Sequence, residues 1–147
     1  MGITTLGISE LFVDCSYPYS SSLLEELRAS SSMLEELRAG AERGNASMQY
    51  ELSFRTLDYD EKRKWMCLAA NQEHKYARFV FGHMEDDPAT TYMWISLADL
   101  AGHPTARNFL DDLSAELTSE QIAEGERLLA EWKPDPASCE TVTSPGS

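Results

Sequence analysis

The sequence predicts an all-α fold, a short stack of about three degenerate helix pairs with capping helices at its ends. Three observations predict it. A register of 29 residues runs through the middle of the chain, helix-start signals stand at matching places in successive units, and small residues fall where neighbouring helices would meet. Repeats are sought first because a missed period misreads a whole fold.

The register joins LRAGAERGN (37–45), CLAANQEH (67–74) and SLADLAGH (96–103). Asn45, His74 and His103 stand 29 residues apart, as do Trp65 and Trp94, Leu68 and Leu97, Ala69 and Ala98, Ala77 and Ala106, and Arg78 and Arg107. Leu52, Phe81 and Leu110 fall in line on the same spacing. A single tryptophan pair would carry little weight, whereas a register shared at this many positions is a strong signal. One helix pair cannot bury its apolar face alone, so the units must stack.

The first element is a duplication in 21–40, SSLLEELRAS followed by SSMLEELRAG, each copy with a capping box: Ser22 with Glu25 and Ser32 with Glu35. An offset of ten residues turns a helix by about 280° beyond whole turns, so one continuous helix would put the two leucine sets on different faces. The sequence therefore predicts a short helix near 23–29, a Ser-rich break and a longer helix near 33–43, together capping the first repeat. Residues 46–56 form the next helix, with Tyr50, Leu52 and Phe54 among polar positions. Residues 59–71 form its partner, carrying Trp65, Met66, Leu68, Ala69 and Ala70 behind an N-cap Asp58 with Glu61 three residues on. One unit later, Asp87-Pro88 starts the equivalent helix by a cap followed by proline at the first helical position. Thr118 with Gln121 opens a helix over 119–132 whose Ile122, Leu128, Leu129 and Trp132 close the stack. Residues 21–133 thus read as a single helical-repeat domain, flanked by loosely ordered tails at 1–20 and 134–147.

The segment from Trp65 through Met-Cys-Leu-Ala-Ala-Asn-Gln-Glu to His74, then Ala77-Arg-Phe and Phe81-Gly82, resembles the Sel-one-like repeat family, a tetratricopeptide-like group. The matching elements are W-x3-AA-x2-G-H and A-x-A-Q-x2-LG. Tyr92 to Ala98 is similar again, and 117–134 looks like the closing helix of bacterial members. The units here are shorter, and the turn glycine kept at Gly44 and Gly102 is Glu73 in the middle unit. The resemblance covers residues 33–134. It implies a right-handed helical-repeat solenoid, an α-α superhelix, acting as an adaptor or scaffold without enzymatic activity.

Composition narrows the partners. The 147 residues carry a net charge of −13, with 25 acidic against 12 basic side chains. That opposes phosphate-backbone contacts and anionic membrane surfaces, and favours a basic partner. No apolar run is long enough to span a bilayer. The N-terminus lacks the basic and apolar regions of a signal peptide, and Leu6 stands where myristoylation expects Ser or Thr. Cys15, Cys67 and Cys139 are odd in number and far apart, which predicts a reducing, cytoplasmic setting with no disulfide scaffold and no zinc site.

No constellation predicts an enzyme, a metal or a cofactor. His74 and His103 occupy equivalent turns and read as helix caps; His83 has no HExxH context. Glu85-Asp86-Asp87 suits the positive end of the helix that follows. Cys67, whose repeat counterpart is Ser96, reads as a small packed residue. The expected function is a protein-protein interaction module whose concave face is lined by the first helix of each pair. Spacings of three and four place Ser47, Tyr50 and Phe54 there in the first unit, Tyr76, Phe79 and His83 in the second, and Thr105, Asn108 and Asp112 in the third. Four of the nine are Tyr or Phe, the residue types in which interfaces are rich; the same rings could instead tilt into the core. An acidic inhibitor, such as an immunity protein or an antagonist of a basic or nucleic-acid-binding complex, is the alternative. A self-associating structural protein is a second alternative to the expected monomer.

Overall fold

The computed structural model describes residues 18–141, and every regular element among them is helical. Of the expected tail 1–20, residues 1–17 with Cys15 lie outside the described residues, and 18–20 are helical rather than a loose tail. The helices are α1 (Pro18–Glu42), α2 (Ala46–Arg55), α3 (Tyr59–Ala70), α4 (Lys75–His83), α5 (Pro88–Leu100), α6 (Ala106–Glu116) and α7 (Ser119–Glu131), followed by a 3₁₀ helix at Pro136–Thr141. The chain divides between Glu36 and Leu37 into two compact units.

In the first unit the predicted break near Ser30 is absent, because α1 runs through both leucine sets without interruption. Its interior from 19 to 39 contains neither Pro nor Gly, so nothing in the backbone forces a stop. The geometric objection drawn from the ten-residue offset fails for a simple reason. It presumes that the leucines are buried, yet Leu23, Leu24, Leu27, Met33 and Leu34 are all exposed.

The second unit is built by short-range devices at each helix start. Asn45 accepts the Met48 N–H at 3.0 Å, and Asp58 accepts those of Asp60 and Glu61 at 2.8 and 3.2 Å. Asp87 accepts the Thr90 N–H at 3.0 Å ahead of Pro88. At Thr118 the capping box is complete, with Gln121 returning its side-chain oxygen to the Thr118 N–H. The turns before α2, α4 and α6 share one backbone device, a left-handed residue: Gly44 at φ 94°, Glu73 at φ 64° and Gly102 at φ 89°. The carbonyls of Gly40 and Ala98 then accept the N–H groups of Asn45 and His103 at 3.0 and 2.9 Å.

Consecutive helices pack together from α2 through α6, and α5 lies at the centre. Met93, Trp94, Ile95, Leu97 and Ala98 of α5 are all buried. Trp65 and Trp94, matched in the sequence register, are buried in separate clusters: Trp65 with Ala41 and Leu52, Trp94 with Met66, Phe81 and Leu97. The last helix departs from the pattern of neighbour pairing. α7 lies on α5, where Gly125 admits the Tyr92 ring so closely that a Cβ would stand 2.6 Å from it. Trp132, just beyond, meets Trp94 edge-on at 5.9 Å.

The predicted tail at 134–147 needs correction over its described part. Residues 136–141 form the 3₁₀ helix on α3, and Cys139 is buried and disulfide-bonded to Cys67. Asn71, the C-cap of α3, organises the junction: its amide donates to the Cys67 carbonyl at 2.9 Å and its oxygen accepts the Asp135 N–H at 2.8 Å. The expectation of no disulfide, and of Cys67 as only a packed residue, is overturned. Periodicity missed this segment because a 3₁₀ helix held by a crosslink and one capping side chain needs no amphipathic face.

Candidate functional site

The left-handed turns deliver His74 and His103 to the starts of α4 and α6, where each ring works as a local acceptor. His74 Nδ1 accepts the Ala77 N–H at 3.1 Å, and His103 Nδ1 accepts the Thr105 N–H at 3.3 Å. Both interactions require the neutral ring with its proton on Nε2. Burial lowers the pKa of both histidines, with Lys75 and His83 lowering His103 further. His74 stacks on Tyr50 and His103 on Phe79, while both meet Tyr76 in T-shaped contacts.

Those neighbours form a row. Phe54 meets Tyr50 edge-on at 5.0 Å, and Tyr50 stacks on His74 at 4.7 Å. Tyr76 stands 6.2 Å from His74 and 5.2 Å from His103. His103 stacks nearly parallel on Phe79 at 4.1 Å. Phe79 and His83 both reach Phe109, at 5.7 and 4.4 Å. The row therefore crosses α2, α4 and α6 without a gap.

Of the nine residues expected on this face, none is fully buried. Phe54 and Tyr76 are 53% and 42% exposed, Ser47 and His83 are exposed, and Tyr50 and Phe79 are half-buried against the core clusters. Thr105, Asn108 and Asp112 are exposed too; Thr105 serves the His103 cap, while Asn108 and Asp112 make no ring contact with the row. The third unit joins through Phe109 instead. The register itself holds there, since Ala77 and Ala106 are both buried and so are Phe81 and Leu110; Phe109 is the counterpart of Val80, a position that spacings of three and four do not select. His74, His103 and Phe109 are the members the spacing argument missed, although the equivalent turn positions of the two histidines were a visible signal.

Two cavities flank this structure. One of about 360 Å³ is lined by Ser47, Tyr50, Glu51, His74 and Tyr76, at the α2 end of the row. The other, about 500 Å³, lies between the end of α1, α3 and the 3₁₀ helix, with Trp65, Lys64 and Glu140 in its wall. Polar groups of the second are already engaged with one another: Gln72 donates to Gln49, Gln49 to the Ala41 carbonyl, and Lys64 pairs with Glu140.

Elsewhere two arginines hold backbone carbonyls. Arg78 is buried, donates to the carbonyls of Ala70 and Leu97 at the ends of α3 and α5, and lies over the Trp132 ring. Arg63 clasps the Met84 carbonyl and the Glu85 carboxylate, whose pKa burial raises. Among the described residues no group of His, Cys, Asp and Glu side chains is arranged to hold a metal, and no helix is long and apolar enough to cross a membrane. No protein family, curated protein or solved structure matches this chain.

Proposed function

We propose that this protein is a non-enzymatic protein-protein interaction module, an adaptor or scaffold, that engages a protein partner through the aromatic row on α2, α4 and α6. On this reading its helix pairs form a short right-handed solenoid of the Sel-one-like kind. The observation that carries the proposal is the row itself: rings from three helices, half-buried or exposed, pre-positioned by one another. Rigid aromatics that lose little freedom on binding are what interface hot spots are made of. The shared left-handed turns at Gly44, Glu73 and Gly102 support the repeat reading.

The probes should be Phe54 and Tyr76, which are exposed, rather than Tyr50 and Phe79, which also pack on the core. Affinity capture from the native cell is compared for the parent, Phe54→Ala and Tyr76→Ala. The expected result is an unchanged melting temperature with partner affinity weakened by about 2 kcal/mol, the size of a hot-spot truncation. Two folded variants that capture the partner at full strength would reject this face.

The net charge of −13 favours a second reading, a dedicated inhibitor of a basic protein. Electrostatic steering would then make the association rate fall steeply with added salt. The expected cytoplasmic location rested on unpaired cysteines, and the Cys67–Cys139 disulfide removes that support and favours an oxidising compartment.

A further inference from the structure

We propose that the cavity lined by Ser47, Tyr50, Glu51, His74 and Tyr76 receives a cationic side chain, an arginine or lysine presented by a protein partner. The inference rests on the interaction reading and specifies the chemistry of what the row binds.

Three of the five lining residues are rings, and the faces of aromatic rings carry negative potential that attracts cations within about 6 Å. Tyr50 is stacked on His74 and set nearly perpendicular to Phe54, so the aromatic wall exists before a ligand arrives. His74 contributes a neutral ring because its Nδ1 is committed to the Ala77 N–H. A histidinium there would lose that cap and repel the ligand. Glu51 supplies the formal charge, and the Ser47 hydroxyl offers a further acceptor for N–H groups.

The chain's own cations already use this chemistry at the margins. Lys75 Nζ stands 5.3 Å from the Tyr76 ring centroid, and Arg55 pairs with Glu51 at 2.7 Å. The Arg55–Glu51 pair is solvent-exposed on both sides, so it is weak and easily exchanged for a better-placed partner. Other ligand classes fit worse. An anion would face the Glu51 carboxylate and a molecule carrying −13 net charge, and a purely apolar group would bring no charge to replace Arg55 at Glu51.

The test is a titration of the full chain with the peptide tri-arginine, followed through the ring resonances of Tyr50 and Tyr76. Tri-citrulline, which keeps the shape and loses the charge, is the control. Saturable shifts at both rings are expected with tri-arginine, with at least tenfold weaker binding of tri-citrulline. Glu51→Gln should weaken tri-arginine about tenfold. Asp111→Asn removes the same charge outside the cavity and should leave the affinity unchanged. Tyr76→Phe should retain binding and Tyr76→Ala lose it, both remaining folded because the ring is exposed. Equal affinities for Glu51→Gln and Asp111→Asn, or shifts spread over the acidic helices without the two tyrosines, would overturn the proposal. If the peptide fails at the cavity while Phe54→Ala still loses the partner, the interaction reading stands and the cation site falls. If the peptide binds as expected while neither ring variant affects the partner, the cation site stands and the interaction reading falls.

Discussion

Glu73 holds a backbone conformation that glycine occupies in the two equivalent turns. A left-handed residue with a Cβ costs roughly 1–2 kcal/mol, and part of that returns on substitution because glycine loses more freedom on folding. Glu73 also lends its charge to nearby Arg78, but an exposed carboxylate contributes little at such a site, about 0.5 kcal/mol at most. Strain relief is the larger effect, so Glu73→Gly should raise stability by about 0.5–1 kcal/mol in denaturant unfolding; a destabilised variant would contradict the shared turn geometry. Glu61 makes the opposite kind of contribution. Its carboxylate accepts from Arg38, Thr56 and Trp65, and these bonds, Arg38 first, lower its pKa from 4.5 to about 2. As pH falls, the unfolded chain takes up this proton first. The stabilisation is therefore complete above pH 4.5 and is lost as pH falls toward about 2. His74 and His103, whose pKa values lie below the ordinary 6.5, begin a loss of the same sign at milder acidity. Unfolding measured from pH 7 to 2 should show a shallower slope below pH 4.5 in Glu61→Gln than in the parent, and parallel curves would remove Glu61 from the account. These residue-scale roles divide by legibility. The helix caps and the turn glycines are readable because cap chemistry is local, whereas Arg38 meeting Glu61 depends on the packing of elements 23 residues apart.

Helix starts obey their own few residues, and helix placement obeys the neighbours, as α6 and α7 show. The cap at Thr118 is legible in the sequence, and so is the apolar face carrying Leu128, Leu129 and Trp132. The surface that this face covers is not legible, because α5 offers apolar residues on nearly every side. A helix hydrophobic all round can be covered from several directions, and periodicity does not choose among them. The choice falls to a close approach at Gly125 against Tyr92. Gly125→Ala is the discriminating change because two effects oppose each other. Helix propensity would favour alanine by about 1 kcal/mol. A Cβ there would stand 2.6 Å from the Tyr92 ring and 3.0 Å from its Cβ, and overpacking of that kind costs typically 1–3 kcal/mol. Contact with the root of a side chain cannot be relieved by swinging its tip, so packing outweighs propensity and the variant should be less stable. A more stable variant would mean that α7 does not sit on α5 as described. At the candidate site the same division holds: the faces of α2 and α4 follow from spacing, while α6 reaches the row through Phe109, one residue past the position that the spacing selects.

On the scale of the whole molecule, the crosslink between Cys67 and Cys139 spans 72 residues and encloses α4 through α7. Nothing in the spacing of the cysteines announces it. They come together only because α3 and the 3₁₀ helix pack side by side, bringing the two Cα atoms to 5.6 Å. A loop of this length, once closed, restricts the unfolded chain and stabilises the folded one by about 2–4 kcal/mol. For a domain of this size that corresponds to roughly 10 °C in melting temperature. Residues 135–141 are thus part of the fold rather than a dispensable tail, and three perturbations should rank accordingly. Reducing agent should lower the melting temperature of the parent, and Cys139→Ser should match the reduced parent and not respond to reductant. Deleting 134–147 should cost somewhat more, since it also uncovers the Cys67 side of α3 and frees the Asn71 oxygen from the Asp135 N–H. Deleting from Thr118 onward should cost most, because it strips α7 from α5, exposes Trp94 and leaves Arg78 without the Trp132 ring above it. The decisive control is a thiol titration of the oxidised, denatured protein. One reactive thiol per chain, that of Cys15, accompanied by a reductant-sensitive melting temperature, is the expected result. Three reactive thiols and a melting temperature indifferent to reductant would sink the crosslink, and would return 134–147 to the role of a tail that can be removed at little cost.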